Sequence, residues 1–192
     1  MAMQSESNRI FTPEEYLAME RRAEYKSEYV DGVIFAMSGA SIPHNVIVAN
    51  LIASLLPLMR GRGCQIYPSD LKVRSGSRFF YPDVSAICGE PRFNDGEKDV
   101  VLNPSLIIEV LSPSTQSYDK LSKMITYQKI PTLQEYLLVH QDQAMIQQYR
   151  RQSENAWMYT HTEGEDWRLE ILGCQINKAD VYSGVRFSVA ES

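Results

Sequence analysis

Leu106-Ile107-Ile108-Glu109-Val110-Leu111 is an almost unbroken apolar run with one carboxylate inside it, and its reading decides the fold. A run this short, bounded by Pro104 and by Ser112-Pro113, reads as a strand buried on both faces. Downstream, Ser112-Pro113-Ser114-Thr115 makes a turn into a helix over residues 117–129. Pro131 closes that helix, and 135–139 forms a further strand. Strand, helix and strand at this spacing predict a right-handed βαβ crossover, and hence an α/β protein. Glu109 is the anomaly, because a carboxylate in a central strand is costly unless it is paired, hydrogen-bonded or bound to a metal.

Upstream of this unit, Thr12-Pro13-Glu14-Glu15 marks a helix start, with a Thr cap, Pro at the first helical position and Glu15 completing a capping box. That helix is expected to end near Arg22. Two β-prone runs, 25–30 and 33–37, are separated by Asp31-Gly32, a strong hairpin signal. His44 opens an apolar helix that ends near Met59, with apolar residues on nearly all its faces. Such a helix is wrapped by the fold or pressed on a partner. Short strands are predicted at 65–67, 71–73 and 84–88, and 89–103 reads as an exposed polar loop. After residue 145, alternating segments at 146–150, 156–160 and 167–172 predict an antiparallel meander that ends the sheet. No repeat or linker interrupts the chain, so 10–188 is expected to be one domain.

The composition narrows the function. The chain has 192 residues and a net charge of −5, which argues against a protein that coats nucleic acid nonspecifically. A nuclease is not excluded, because a cation-filled acidic site can adjoin a local basic patch. The densest basic group, Arg60, Arg62, Lys72, Arg74 and Arg78, reads first as a solvated surface. Cys64, Cys88 and Cys174 are odd in number and far apart in sequence. They therefore argue against a disulfide framework or a CxxC zinc site and fit a reducing compartment. No signal peptide is visible in residues 1–9, and the apolar stretch 46–59 reads as too short and too interrupted to span a bilayer. A cytoplasmic location without membrane attachment is expected.

Asp83, in Tyr81-Pro82-Asp83-Val84, stands at a strand start, where an Asp commonly serves a turn. Together with Glu109 it suggests a shared cation, since one or two carboxylates with waters and a substrate phosphate are how Mg²⁺ is usually held. Asp119, Lys123 and Tyr127 are spaced by four and share a helix face. An exposed Asp119–Lys123 salt bridge explains that spacing equally well. What lifts Lys123 above a surface lysine is that its helix begins soon after the Glu109 strand.

The ordered series Glu28-Tyr29-Val30-Asp31-Gly32, His44, Tyr81-Pro82-Asp83-Val84, Ile108-Glu109-Val110-Leu111-Ser112-Pro113-Ser114, Asp119…Lys123…Tyr127 and Pro131-Thr132-Leu133-Gln134-Glu135-Tyr136 resembles the Uma-type restriction endonuclease family of the PD-(D/E)xK nuclease superfamily. The resemblance covers nearly the whole chain. It implies a restriction-endonuclease-like fold: a mixed central β-sheet flanked by α-helices. It also implies a DNA endonuclease that uses Mg²⁺ or Mn²⁺. Carried over by position, Asp83 is the acid of the Pro-Asp motif, Glu109 the acid of (D/E)xK, and Glu28 an N-terminal acid that supports a second ion or a metal-bound water. Asp83, Glu109 and the Val110 carbonyl would hold the metal. Leu111 stands where the motif places its lysine, and Lys123 is the residue that fits the displaced role. His44 would touch the phosphate or move a proton, although capping or packing explains a histidine at a helix start equally well. Two other readings stay open. One is a nuclease-fold protein that binds nucleic acid or regulates without turnover. The other is an assembly role for the apolar helix, and a homodimer is expected under every reading.

Overall fold

In the computed structural model, which describes residues 9–111 and 122–187, the chain folds around a six-stranded mixed sheet. Its strands in chain order are β3 (Cys64–Pro68), β6 (Val84–Cys88), β8 (Leu106–Leu111), β9 (Glu135–His140), β10 (Ile146–Ser153) and β11 (Ala156–His161). They lie side by side as β11-β10-β9-β8-β6-β3. The β8–β9 pair is parallel, as the strand-helix-strand spacing predicts, and its neighbours are antiparallel. All six residues of β8 are buried, so its continuous apolar run reflects cover on both faces.

One face of this sheet, including Leu106, Ile108 and Val110, packs on α2 (Ile42–Arg60) through Ile47, Leu51, Leu55 and Met59, all fully buried. Ser41 caps α2 by accepting the His44 N–H, so the helix starts two residues before the expected position. With 19 residues, α2 is also long and apolar enough to cross a bilayer by length and composition, which corrects the reading of 46–59 as too short. Its polar interruptions serve the fold. Asn50 donates to the Val181 and Ser183 carbonyls, and Ser54 donates to the Asp180 carbonyl. Those acceptors lie in or just beyond α4 (Lys178–Tyr182), a short helix that the sequence pattern did not announce. Among the described residues the last two strands, β12 (Arg168–Ile171) and β13 (Cys174–Asn177), pair only with each other and cover α2. The third segment of the expected meander therefore leaves the main sheet.

The other face is covered by a second sheet of order β2-β1-β5-β4-β7 and by the helical turn α3 (Met124–Tyr127). The strands are β1 (Ser27–Val30), β2 (Val33–Ala36), β4 (Lys72–Ser75), β5 (Arg78–Phe80) and β7 (Val100–Val101). β1 and β2 form the Asp-Gly hairpin. Asp31 and Gly32 both take positive φ, 48° and 98°, as a tight primed turn requires. β7 corrects the reading of 89–103 as an exposed loop, since Val100 and Val101 are fully buried and pair in parallel with Lys72 and Val73. Two residues are too few to carry a periodic signal.

The cysteines give a further correction. Cys64 and Cys88 face each other across β3 and β6 and form a disulfide with a Cα–Cα distance of 4.0 Å. Residues distant in sequence become cross-strand partners once register is set, and the spacing alone could not reveal it. Of the basic group, Arg60 and Arg62 are exposed as expected, whereas the other three are tied into the fold. Lys72 is buried on Asp99, Arg78 bonds Asp31 and Thr126, and Arg74 bonds Asn94.

Helix α1 (Pro13–Glu20) carries the expected capping box and ends two residues early. Arg21, just past it, donates to Asp95 and Asp99, fastening the helix to the approach to β7. Burial alone would raise the Asp99 carboxyl, but hydrogen bonds from Arg21 and Lys72 outweigh it and hold the group at about 2, below its ordinary 3.8. A depressed carboxyl stabilises the fold fully above its unfolded value and loses that contribution as pH falls through the folded one. The melting temperature should therefore decline between about pH 4 and about pH 2. Differential scanning calorimetry should find a shallower decline in Asp99→Asn.

Candidate active site

β6 and β8 are antiparallel, and their last recorded pair is Val84 with Ile108. Beyond that pair the chain turns at Asp83, which reaches both the Val110 N–H of β8 and His44 in the first turn of α2, while Glu109 lies on the face away from α2. Period-two alternation gives Glu109 the same side as Ile107 and Leu111, which belong to the core under the second sheet. Glu28 reaches this place from β1, and Lys123 from the helical turn that leads into α3. Two sheets and a crossover thus bring Glu28, Glu109 and Lys123 into contact, and Asp83 adjoins them through the Val110 N–H.

The contacts form two linked clusters. In the first, the Lys123 ammonium donates to Glu28 Oε1 at 2.9 Å and to Glu109 Oε1 at 3.2 Å. Tyr127 donates its hydroxyl to the same Glu109 oxygen at 3.0 Å, and the Tyr81 N–H donates to Glu28 Oε1 at 3.2 Å. Glu28, Glu109 and Lys123 are all at most 6% exposed. Two buried carboxylates are tolerable here because one ammonium lies between them. Tyr127 is driven far above the ordinary phenol range by burial and then by the Glu109 charge, so it remains a donor. The Lys123 ammonium also lies 5.5 Å from the centre of the Phe80 ring.

In the second cluster, Asp83 Oδ2 accepts the Val110 N–H at 2.7 Å, and Asp83 Oδ1 lies 3.1 Å from His44 Nε2. His44 therefore serves two ends. Its backbone is capped by Ser41, and its ring leans on Asp83. His44 Nδ1 is buried with no hydrogen-bond partner among the described residues. The sequence offered His44 for a phosphate contact, a proton transfer or a cap, and the structure places its ring on the Asp83 carboxylate and its N–H on Ser41. Val110 was named for its carbonyl, yet its N–H is the group that meets Asp83. The Tyr127 hydroxyl and the Tyr81 N–H were missed as partners of the acids. The i+4 step from Lys123 to Tyr127 was the one available signal for the first, and a backbone donor leaves none.

Leu111 is fully buried in the core that contains Phe80, Tyr127 and Tyr136. A lysine on the strand at that point would have to displace this packing, and Lys123 delivers an ammonium to Glu109 from the crossover instead. Asp119, the other acid on that stretch, lies outside the described residues.

The donor set suits a hard cation, because it offers carboxylate oxygens and no thiolate. Among the described residues no three His, Cys, Asp or Glu side chains converge as a metal cage. Mg²⁺ commonly needs only one or two carboxylates beside waters and a phosphate, so Asp83 and Glu109 fit it by type and number.

Comparison with known proteins follows the same direction. Residues 13–179 match the family model Uma2, described as "Putative restriction endonuclease". Two uncharacterized proteins of Synechocystis sp. PCC 6803 are similar along most of their length. One, sll1609, is 41% identical over 86% of this chain and 94% of its own. The other, slr1290, is 37% identical over 92% of this chain and 93% of its own. A crystal structure of "a putative nuclease belonging to DUF820" from Anabaena variabilis superposes with a TM-score of 0.73 at 20% identity, covering 90% of this chain and 98% of that one. The likeness to that structure establishes the mixed α/β fold.

Proposed function

Because this chain belongs to the Uma2 family of restriction endonuclease-like proteins, we propose that it hydrolyses DNA phosphodiester bonds by PD-(D/E)xK-type chemistry with a bound Mg²⁺ or Mn²⁺. The observation that carries the reading is the buried Lys123 ammonium shared by Glu28 and Glu109, with Asp83 bonded to the N–H of Val110, the residue after Glu109. Here a second acid and a third beside it concentrate negative charge where a divalent ion and a phosphate would meet.

Asp83 and Glu109, with the Val110 carbonyl, would hold the ion, whose chemistry is to polarise the phosphate and lower the pKa of a bound water. His44 and the Val110 N–H keep the Asp83 carboxylate aimed, and Tyr127 does the same for Glu109. Lys123 orients the attacking water and offsets the charge that develops on the phosphorus. Glu28 holds Lys123 and positions a water on the far side of the site. We read residues 10–188 as one domain and the protein as a homodimer. The exposed side of α2, where Ile42 is 81% and Leu58 41% exposed, supplies apolar surface for a second copy.

A second reading, a nuclease fold that binds nucleic acid without turnover, is favoured by one observation. The Lys123 ammonium is already neutralised by two carboxylates. Titration calorimetry separates the two readings. The hydrolase should take up Mn²⁺ at a site abolished in Asp83→Asn. Measurable DNA binding with no divalent-ion uptake by the wild type would select the second reading.

A further inference from the structure

The sheet face that carries Glu109 does not end beneath the second sheet. Its lateral neighbours can be followed outward by register. Glu109 pairs with Leu138, Leu138 with Gln147, and Gln147 with His161. The adjacent row runs Ile107, Tyr136, Tyr149, Tyr159, and beyond it Arg151 stands opposite Trp157. Residues directly opposite on neighbouring strands share a face. The covered acidic site and the outer surface of β10 and β11 are therefore one continuous face.

That outer surface carries a run of rings, with Tyr159 and His161 exposed and Tyr149 and Trp157 half-buried at the edge of the core. Tyr149 and Tyr159 lie 5.1 Å apart, and Tyr159 and His161 stack at 5.9 Å with an interplanar angle of 28°. The Arg151 guanidinium sits 4.3 Å over the Trp157 ring. Arg151 is held in place by donating to the Gln128, Ile130, Leu133 and Glu154 carbonyls, so it is fixed as a plane. Tyr159 is 48% exposed and His161 is exposed, its ring nitrogen 2.6 Å from Glu163. Large aromatic side chains normally turn inward, and a row of them on a solvent-facing edge strand is a surface awaiting flat partners.

We propose that this platform, centred on Tyr159 and flanked by Trp157, Tyr149 and His161, binds unpaired bases of the DNA strand whose backbone enters the Glu109 site. The inference rests on the nucleic-acid substrate proposed above and adds its form, a strand with a single-stranded or flapped segment. Rings accept any base by stacking and do not require a strongly basic surface, which suits a chain with a net charge of −5. The distance also suits it. Three strand spacings of about 4.8 Å separate Glu109 from His161, roughly 14 Å, a span of a few nucleotides at about 3.4 Å rise per base along a strand. A paired duplex hides its base faces and gains nothing from such a platform.

The test is fluorescence anisotropy with a labelled single-stranded oligonucleotide and the matching blunt duplex, in EDTA and in Ca²⁺. The wild type should prefer the single strand. Tyr159→Ala should weaken that binding by about tenfold, the loss of one base–ring stack, and Tyr159→Phe should retain it. Binding of the blunt duplex should not change in either variant. Equal affinities for wild type and Tyr159→Ala, or a wild-type preference for duplex, would overturn the platform. So would sedimentation showing that Tyr159→Ala splits a dimer, since the face would then belong to a second copy. If the strand binds as stated and is never cut, the platform stands and hydrolysis falls. If DNA is cut while Tyr159→Ala binds normally, hydrolysis stands and the platform falls.

Discussion

Glu109→Gln is expected to lower the rate of DNA cleavage by on the order of 10³-fold while leaving the fold intact. The substitution keeps the volume and an oxygen that accepts the Tyr127 hydroxyl bond, so the packing under the second sheet persists. It removes the negative charge that would hold a hard divalent ion and that faces the Lys123 ammonium at 3.2 Å. Because a group acting mainly at the transition state affects turnover more than binding, kcat should fall while KM changes little. Single-turnover cleavage, with circular dichroism on the same preparation, reads both halves. An equal fall in activity and in melting temperature would assign Glu109 to the fold alone.

Lys123→Ala should damage stability and activity together. It leaves the buried Glu28 and Glu109 carboxylates, previously bridged by one ammonium, facing each other without it. Removing one partner of a buried ion pair costs about 3–5 kcal/mol, or roughly 6–20 °C in Tm for a chain of this size. Activity should fall by about 10²–10³-fold through loss of the charge that stabilises the transition state. The two effects can be separated by adding Glu28→Gln, which removes one of the stranded charges. The double variant should recover much of the lost Tm in thermal denaturation and none of the lost activity. Recovery of both would mean that the lysine serves only to neutralise its neighbours.

The reasons for what was legible lie in particular residues. The run at Leu106–Leu111 announced a strand covered on both faces, and the turn chemistry of Asp31-Gly32 announced a hairpin, because both signals are local. Glu109 declared itself by being out of place among apolar neighbours. Three features did not show, because each depends on register or on pairing between distant segments. One is the Cys64–Cys88 bridge across β3 and β6. Another is β7, where two valines complete a second sheet. The third is the departure of β12 and β13 from the main sheet to cover α2. Within the site, the acids and Lys123 could be named from sequence. The sharing of one ammonium by Glu28 and Glu109, the turn of His44 onto Asp83 and the donation by Tyr127 could not. Those are distances between elements, and no spacing along the chain encodes them.

Strand scission of a mixed panel of duplex, flapped and single-stranded DNA, run with Mg²⁺, with EDTA and with Asp83→Asn, bears most directly on the assignment of this acidic site to phosphodiester hydrolysis. The expected result is cleavage of at least one form by the wild-type protein in Mg²⁺, abolished by EDTA and by Asp83→Asn, with the variant folded. Cleavage that survives Asp83→Asn, or no scission of any form by the wild-type protein with Mg²⁺ or Mn²⁺, would contradict it.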